Sequence, residues 1–184
     1  LVLAVGLQRG LQAGDAFVEL AMHAGCEELD FVKEGGFDGD WVEENCSRMR
    51  QDGPFVEAGE NDNLIVQRLA SGQSGVMGVF GYSFLEQNAD SVKAHAVNGV
   101  MPTPETIASG AYPISRSMFI YVKKAHLEAI PGLKQFVAEW VKSWGKTGPL
   151  AKIGMVAMPE EAMTANAAKV QNMVLLTKAE LEAK

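Results

Sequence analysis

The stretch Gly75-Val-Met-Gly-Val-Phe-Gly81 is a continuous apolar run with a glycine at each end. Because no polar side chains alternate with the apolar ones, the pattern is typical of a central strand that is buried on both faces. A short helix is predicted directly after it, over residues 83–87. A buried strand followed by a helix indicates an α/β fold.

A second strand and a helix are predicted upstream of this run. Residues 1–5 are apolar and end at a glycine, which is typical of a buried strand. Residues 6–14 contain three glycines and predict a connector. Asp15 is then predicted to cap a helix with one apolar face, and Gly25 is predicted to end it.

Polar side chains mark two further helix starts. Asp38 or Asp40 is predicted to cap the first of these helices, and Asn61 or Asp62 the second. At the second start two interpretations are open. Either the side chain caps the helix, or the free backbone N–H groups there face a ligand or a neighbouring lobe.

The middle of the chain predicts two more strands. Residues 92–97 end in Asn98-Gly99, a dipeptide that favours a tight turn. Residues 104–109 predict a helical turn. Residues 117–122 form another apolar run of strand length.

The C-terminal part predicts two helices and a frayed tail. The longer helix covers residues 131–144 and carries an apolar stripe, and the second covers residues 160–173. Leu181 and its charged neighbours are interpreted as the frayed tail. Four aromatic residues on the most apolar strands and on the stripe are predicted to be buried in the core: Phe80, Phe119, Phe136 and Trp140.

Composition limits the classes of function. The chain has 184 residues and a formal net charge of −7, which disfavours nonspecific nucleic-acid binding. No apolar run approaches the length of about 18 residues that a membrane-spanning helix needs. Leu1 begins inside an apolar segment without an initiator Met or a basic leader, so no signal peptide is expected in this chain. We interpret it as a mature, trimmed or excised product.

Cys26 and Cys46 are the only two cysteines of the chain. With no histidine cluster beside them they make a poor zinc site, and no metal site is expected. A disulfide and a pair of buried free thiols both remain open from composition alone.

The sequence does not predict an enzyme. The histidines His23, His95 and His126 stand in unrelated contexts, and no Gly-x-Ser-x-Gly nucleophile motif is present. The glycines at the start of the chain lack the Gly-Lys-Ser/Thr sequence of a nucleotide-binding loop. We therefore expect no catalytic residues and no cofactor.

Several strings together resemble a known family. They are Asp15-Ala-Phe-Val-Glu-Leu-Ala-Met22, Glu57-Ala-Gly-Glu-Asn-Asp-Asn-Leu-Ile-Val-Gln67, Gly78-Val-Phe-Gly-Tyr-Ser-Phe-Leu-Glu-Gln-Asn88, Ile107-Ala-Ser-Gly-Ala-Tyr-Pro-Ile-Ser115 and Phe119-Ile-Tyr-Val-Lys-Lys124. In this order they resemble the phosphate-specific substrate-binding protein of bacterial ABC transporters, in a shortened form.

The resemblance implies an α/β fold of the type II periplasmic-binding-protein class, with lobes built on a central mixed sheet flanked by helices. Residues 7–112 would form the second, inserted lobe. Residues 1–6 and 113–184 would be the remnant of the first. It also implies a periplasmic or otherwise extracytoplasmic setting and an ABC transporter permease as partner. In that oxidising setting a Cys26–Cys46 disulfide is predicted.

The chain departs from the family at the anion-binding turn. The family typically has Thr-Ser-Gly-Thr-Arg-Asp before the helix, where this chain has Leu11-Gln-Ala-Gly-Asp15. The ligand-binding candidates that remain are Gly14, Asp15 and Ala16. We therefore expect weak or absent binding of inorganic phosphate. The alternative is a non-transport scaffold, a stand-alone lobe that forms a homo-oligomer and binds no phosphate.

Overall fold

The computed structural model describes residues 2–5, 13–53, 55–56, 58, 61–72 and 75–182. The chain divides into two compact units, Leu1–Met118 and Phe119–Lys184. The division into lobes that the resemblance implies, residues 7–112 against 1–6 with 113–184, stays a prediction.

The first unit contains a short parallel sheet. Strand β1 (Val2–Val5) pairs with strand β2 (Gly78–Gly81), with Val2 opposite Gly78 and Val5 opposite Gly81. The strand predicted over residues 75–81 is therefore confirmed in its last four positions. Among the described residues the sheet has these two strands, so the larger central sheet is not confirmed.

The described residues of the first unit also form seven α-helices. They are α1 (Ala13–Phe17), α2 (Ala24–Glu27), α3 (Asp30–Glu34), α4 (Gly39–Cys46), α5 (Asp62–Ala70), α6 (Tyr82–Gln87) and α7 (Pro104–Ala108). The π-helical segment Val18–His23 joins α1 to α2.

Two predicted boundaries of the first helix are wrong. The helix begins at Ala13, so Asp15 lies inside its first turn and does not cap it. Gly25 lies inside α2 and does not end it. A glycine in a helix costs only about 1 kcal/mol, so tertiary contacts readily carry a helix through one.

Two predicted caps are confirmed. The Trp41 backbone N–H donates to Asp38 Oδ1 at 2.8 Å, so Asp38 and not Asp40 caps α4. The Leu64 backbone N–H donates to Asn61 Oδ1 at 3.1 Å, so Asn61 caps α5. The capping interpretation of this helix start therefore holds.

The two other predicted strands are not formed. Residues 92–97 contribute to an isolated bridge in which Val97 and Val100 exchange backbone hydrogen bonds of 2.9 and 3.0 Å. The bridge closes the predicted Asn98-Gly99 turn, whose φ angles are +50° and +78°. Residues 117–122 are not in a strand. A strand needs a partner for its backbone groups, and the described residues offer none here.

Two small cores hold the first unit together. Phe80 of β2, which is 0% exposed, packs with Val66, Leu85 and Val92. Gly78 permits close packing of α5, since a Cβ at this position would lie 2.6 Å from Ile65 Cγ2. The second core consists of Ala16, Tyr112 and Ile114.

Up to residue 182, where the described part of the chain ends, the second unit forms five short helices. They are α8 (Lys124–Ala129), α9 (Leu133–Lys142), α10 (Pro149–Lys152), α11 (Glu160–Gln171) and α12 (Lys178–Glu182). The helices predicted over residues 131–144 and 160–173 are thus present but shorter. The predicted frayed tail is wrong, because its residues form α12.

The predicted core of the second unit is also wrong in part. Phe136 is 60% exposed and Phe119 is exposed too, whereas Val137 is buried. Helix α9 contacts α8 and α11, and these contacts leave much of its aromatic stripe uncovered. Of the four aromatic residues predicted to be buried, Phe80 is fully buried and Trp140 is half-buried.

No helix in the described part of the chain is long and apolar enough to cross a membrane.

Candidate functional site

The site that the sequence predicts lies at the start of α1, beside the parallel strands. Helix α6 begins at Tyr82, directly after β2 ends at Gly81, and it packs against both strands. Helix α1 packs against them as well. In α/β folds ligands bind beyond the carboxyl ends of parallel strands. The helix starts near this edge are therefore the natural place for a small anion.

The three predicted ligand-binding residues have different environments. Gly14 and Asp15 are exposed, whereas the side chain of Ala16 is buried against the core formed with Tyr112 and Ile114. Ala16 can therefore offer a ligand only its backbone. The glycine-rich link at residues 6–12, which includes Arg9, lies outside the described residues.

The structure brings an arginine to this helix that the sequence analysis missed. Arg116 donates from its guanidinium to Glu19 in a close ion pair, and its side chain is 22% exposed. Glu19 stands one helical turn after Asp15. Its place in the sequence could have indicated it. Arg116 directly follows the family-like string that ends at Ser115, and it lies two residues after the buried Ile114.

The charges at this helix limit what it can bind. The free N–H groups of a first helical turn and a guanidinium both attract an anion. The carboxylate of Asp15 repels an anion, and Arg116 is already paired with the carboxylate of Glu19. The Ser115 hydroxyl donates to the Tyr112 carbonyl oxygen at 2.8 Å. The arrangement therefore suits weak, exchangeable binding of an anion.

Tyr82 offers a neutral donor near the same edge. Burial raises the pKa of its phenol, and the nearby carboxylates of Glu86 and Glu105 raise it further. A tyrosine hydroxyl is already protonated at neutral pH, and these shifts move its ionisation further away from that range. Its ring packs against the core around Phe80.

His23, at the end of the π-helical segment, contacts carboxylates on two helices. Its Nδ1 is 3.5 Å from the carboxylate of Glu27, and its Nε2 is 3.4 Å from that of Glu43 on α4. The Glu27 contact follows from the i,i+4 spacing, whereas the Glu43 contact has no local sequence signal. Among the described residues no group of three histidine, cysteine or acidic side chains is arranged to hold a metal ion.

A covalent link joins the same two helices. Cys26 of α2 and Cys46 of α4 form a disulfide, with 5.5 Å between their Cα atoms. The structure therefore joins the same two cysteines that the resemblance pairs. The segment between them carries α3 and most of α4.

The family of the chain is shown by comparison with known proteins. Residues 7–143 match the profile of the PBP superfamily domain. The chain therefore belongs to the PBP superfamily of binding proteins.

Individual relatives are more specific. The chain is similar to the phosphate-binding protein PstS of Staphylococcus saprophyticus, with 32% identity over 124 residues, which cover 65% of this chain and 38% of that protein. It is similar to PstS of Staphylococcus haemolyticus, with 34% identity over 111 residues, covering 58% of this chain and 34% of that protein. It is also similar to protein SphX of Synechococcus elongatus, with 35% identity over 116 residues, covering 60% and 33%.

These relatives confirm the resemblance to phosphate-binding proteins. The prediction of a protein that is not an enzyme also agrees with them, because PstS is named for binding. The matched region spans about a third of the length of these relatives. No solved structure matches the chain.

Proposed function

We propose that this chain is an extracytoplasmic solute-binding protein, or part of one, that delivers inorganic phosphate to an ABC transporter permease. The observation that carries the proposal is the match to the PBP superfamily over residues 7–143, together with relatives named as phosphate-binding proteins. By the same resemblance the full fold has two α/β lobes, each with a mixed sheet flanked by helices.

The proposed contact surface is the start of α1. Backbone N–H groups around Gly14, Asp15 and Ala16 are the proposed donors, and Arg116 is the proposed cation. A helix N-terminus and one guanidinium both favour a phosphate oxygen. The phenol of Tyr82, which is neutral at physiological pH, is a further candidate donor.

The same residues predict a weak complex. A phosphate dianion that leaves water needs several charge-assisted hydrogen bonds, each contributing about 1.5–3 kcal/mol. Asp15 repels the dianion, and Arg116 is shared with Glu19. We expect a dissociation constant no tighter than roughly 1 mM, which corresponds to about 4 kcal/mol of binding free energy.

Calorimetric titration tests the proposal. Phosphate is titrated into the chain, with sulfate as the matched anion and Arg116→Met as the matched variant. Saturable heat with phosphate that weakens in the variant supports the site. Micromolar affinity would support the function and contradict the expected weakness. No saturable heat would reject phosphate binding by this chain and favour the scaffold interpretation.

A further inference from the structure

The second unit has an apolar groove between the segment at residues 120–122 and helices α8 and α9. Its volume is about 420 Å³. The side chains that line it and carry the argument are Ile120, Tyr121, Val122, Ile130, Phe136 and Trp140. Tyr121 is 58% exposed, and Phe136 is more exposed still. A contiguous apolar surface of this kind typically marks a place where another surface docks.

The groove lies in a basic part of the molecule. Lys123 and His126 are the basic residues that line it, and Lys124 and Lys134 stand beside lining residues in sequence. The second unit has nine Lys and six Asp or Glu residues, which gives a net charge of +3. The first unit accordingly carries −10, since the whole chain has a net charge of −7.

Many of the acidic residues of the first unit are concentrated in one segment. Residues 27–46, here called the acidic loop, contain eight Asp or Glu residues and one Lys. The acidic loop therefore carries a net charge of −7, as large as that of the whole chain. The Cys26–Cys46 disulfide closes it at its base.

Exposed aromatic residues project from the acidic loop. Phe37 stacks on Trp41 of α4 with ring centroids 3.8 Å apart, and Phe31 meets Phe37 edge to face. Phe31 and Phe37 are both exposed. Aromatic side chains bury large apolar areas and contribute strongly to protein interfaces.

We propose that the apolar groove of one copy receives the acidic loop of a second copy. The aromatic side chains of the loop match an aromatic and aliphatic groove, and the carboxylates around them match the lysines at its edge. Opposite charges around an apolar centre direct association and fix its orientation. Because the two surfaces differ, the contact is head-to-tail, and each copy can bind one neighbour on either side.

Sedimentation velocity on the whole chain tests the proposal at two ionic strengths. At about 0.01 M the Debye length is about 30 Å, and at about 1 M it is about 3 Å. We expect reversible association above the 19.8 kDa monomer at low ionic strength, and much weaker association at high ionic strength. A monomer at every concentration and ionic strength would overturn the proposal.

Charge reversal identifies the two surfaces. The groove variant is Lys123→Glu with Lys124→Glu, and the loop variant is Glu34→Lys with Glu44→Lys. Each variant alone should associate at least about tenfold more weakly, because attraction becomes repulsion. An equal mixture should recover association, since the reversed groove of one variant then matches the reversed loop of the other.

A matched control separates the groove from net charge. Lys146→Glu with Lys152→Glu makes the same charge change at exposed positions of the second unit that do not line the groove. It should associate more strongly than the groove variant. Circular dichroism verifies that each variant is folded. Failure of the mixture to recover, or equal loss in the control, would show that the groove receives a different occupant.

Discussion

Glu19 and Arg116 form the ion pair that matters most for the proposed anion site at the start of α1. The guanidinium donates to Glu19, so the carboxylate partly neutralises its charge before a ligand binds. This pairing is one physical reason for the weak phosphate binding that we propose, so the carboxylate of Glu19 is expected to matter as well as the arginine.

Glu19→Gln should strengthen phosphate binding. The change removes a negative charge and releases Arg116, and an exposed ion pair of this kind is worth about 0.2–1 kcal/mol. We expect the dissociation constant measured by calorimetry to fall by about threefold. The control is Glu161→Gln, which removes one exposed charge from the second unit and should change nothing. Equal effects of the two variants would show that only net charge matters.

Phe80 and Phe136 form a matched pair for stability. Phe80→Ala should lower the free energy of unfolding by about 3–5 kcal/mol, because it empties a fully buried position in β2. Phe136→Ala should cost less than about 1 kcal/mol, because its side chain is mostly exposed. Urea unfolding of dilute protein measures both. A cost at Phe136 as large as at Phe80 would show that another surface covers it.

At the scale of elements, the carboxylate of Glu180 accepts two hydrogen bonds that hold α12 in place. Lys169 of α11 donates to Glu180 of α12 at 2.6 Å, and the Thr177 backbone N–H donates to the same carboxylate at 2.9 Å. The C-terminal helix is therefore held by a side chain that the sequence analysis assigned to a frayed tail.

The Glu180 contact predicts a pH dependence. The hydrogen bonds from Lys169 and then Thr177 lower the pKa of Glu180 from 4.5 to about 2. A lowered pKa means that the contact stabilises fully above pH 4.5 and is lost as the pH falls toward about 2. Carbon NMR of the Glu180 carboxyl group should show this midpoint. Lys169→Met should move it back toward 4.5, whereas Lys146→Met should not.

The disulfide between α2 and α4 makes a second prediction at this scale. Unreduced protein should have no thiol that alkylates, and reduction should add two, as measured by mass spectrometry. Closing a loop with a sequence separation of 20 should contribute about 3 kcal/mol of stability. Unfolding with and without reductant measures it. Two thiols that alkylate freely before reduction would contradict the pairing.

At the scale of the whole molecule, local signals were predictable and distant contacts were not. Asp38 and Asn61 cap helices as the sequence predicts, because a cap depends on three residues of chain. The burial of Phe80 also follows from its apolar run. The exposure of Phe136 does not follow, since a stripe at helical spacing predicts an apolar face but not what covers it.

The candidate site shows the same division. Gly14 and Asp15 were found from a string that resembles a family, and the string is continuous in sequence. Arg116 lies 97 residues from the Glu19 that it contacts, and no periodicity or spacing relates them. Predicting the central mixed sheet requires knowing which strands pair with each other. The sequence of a single strand does not specify its partner.

The disulfide also changes what a break in the backbone would do. Residues 27–45 lie between two cysteines that are joined to each other, so this part of the chain is a covalent ring. A single protease cut in the ring, for example beside the exposed Phe37, would leave two fragments tied by sulfur. Such a nicked molecule should migrate as one band on a gel without reductant and as two bands with it. Within the ring, the backbone can therefore be cut once without separating the molecule into two pieces.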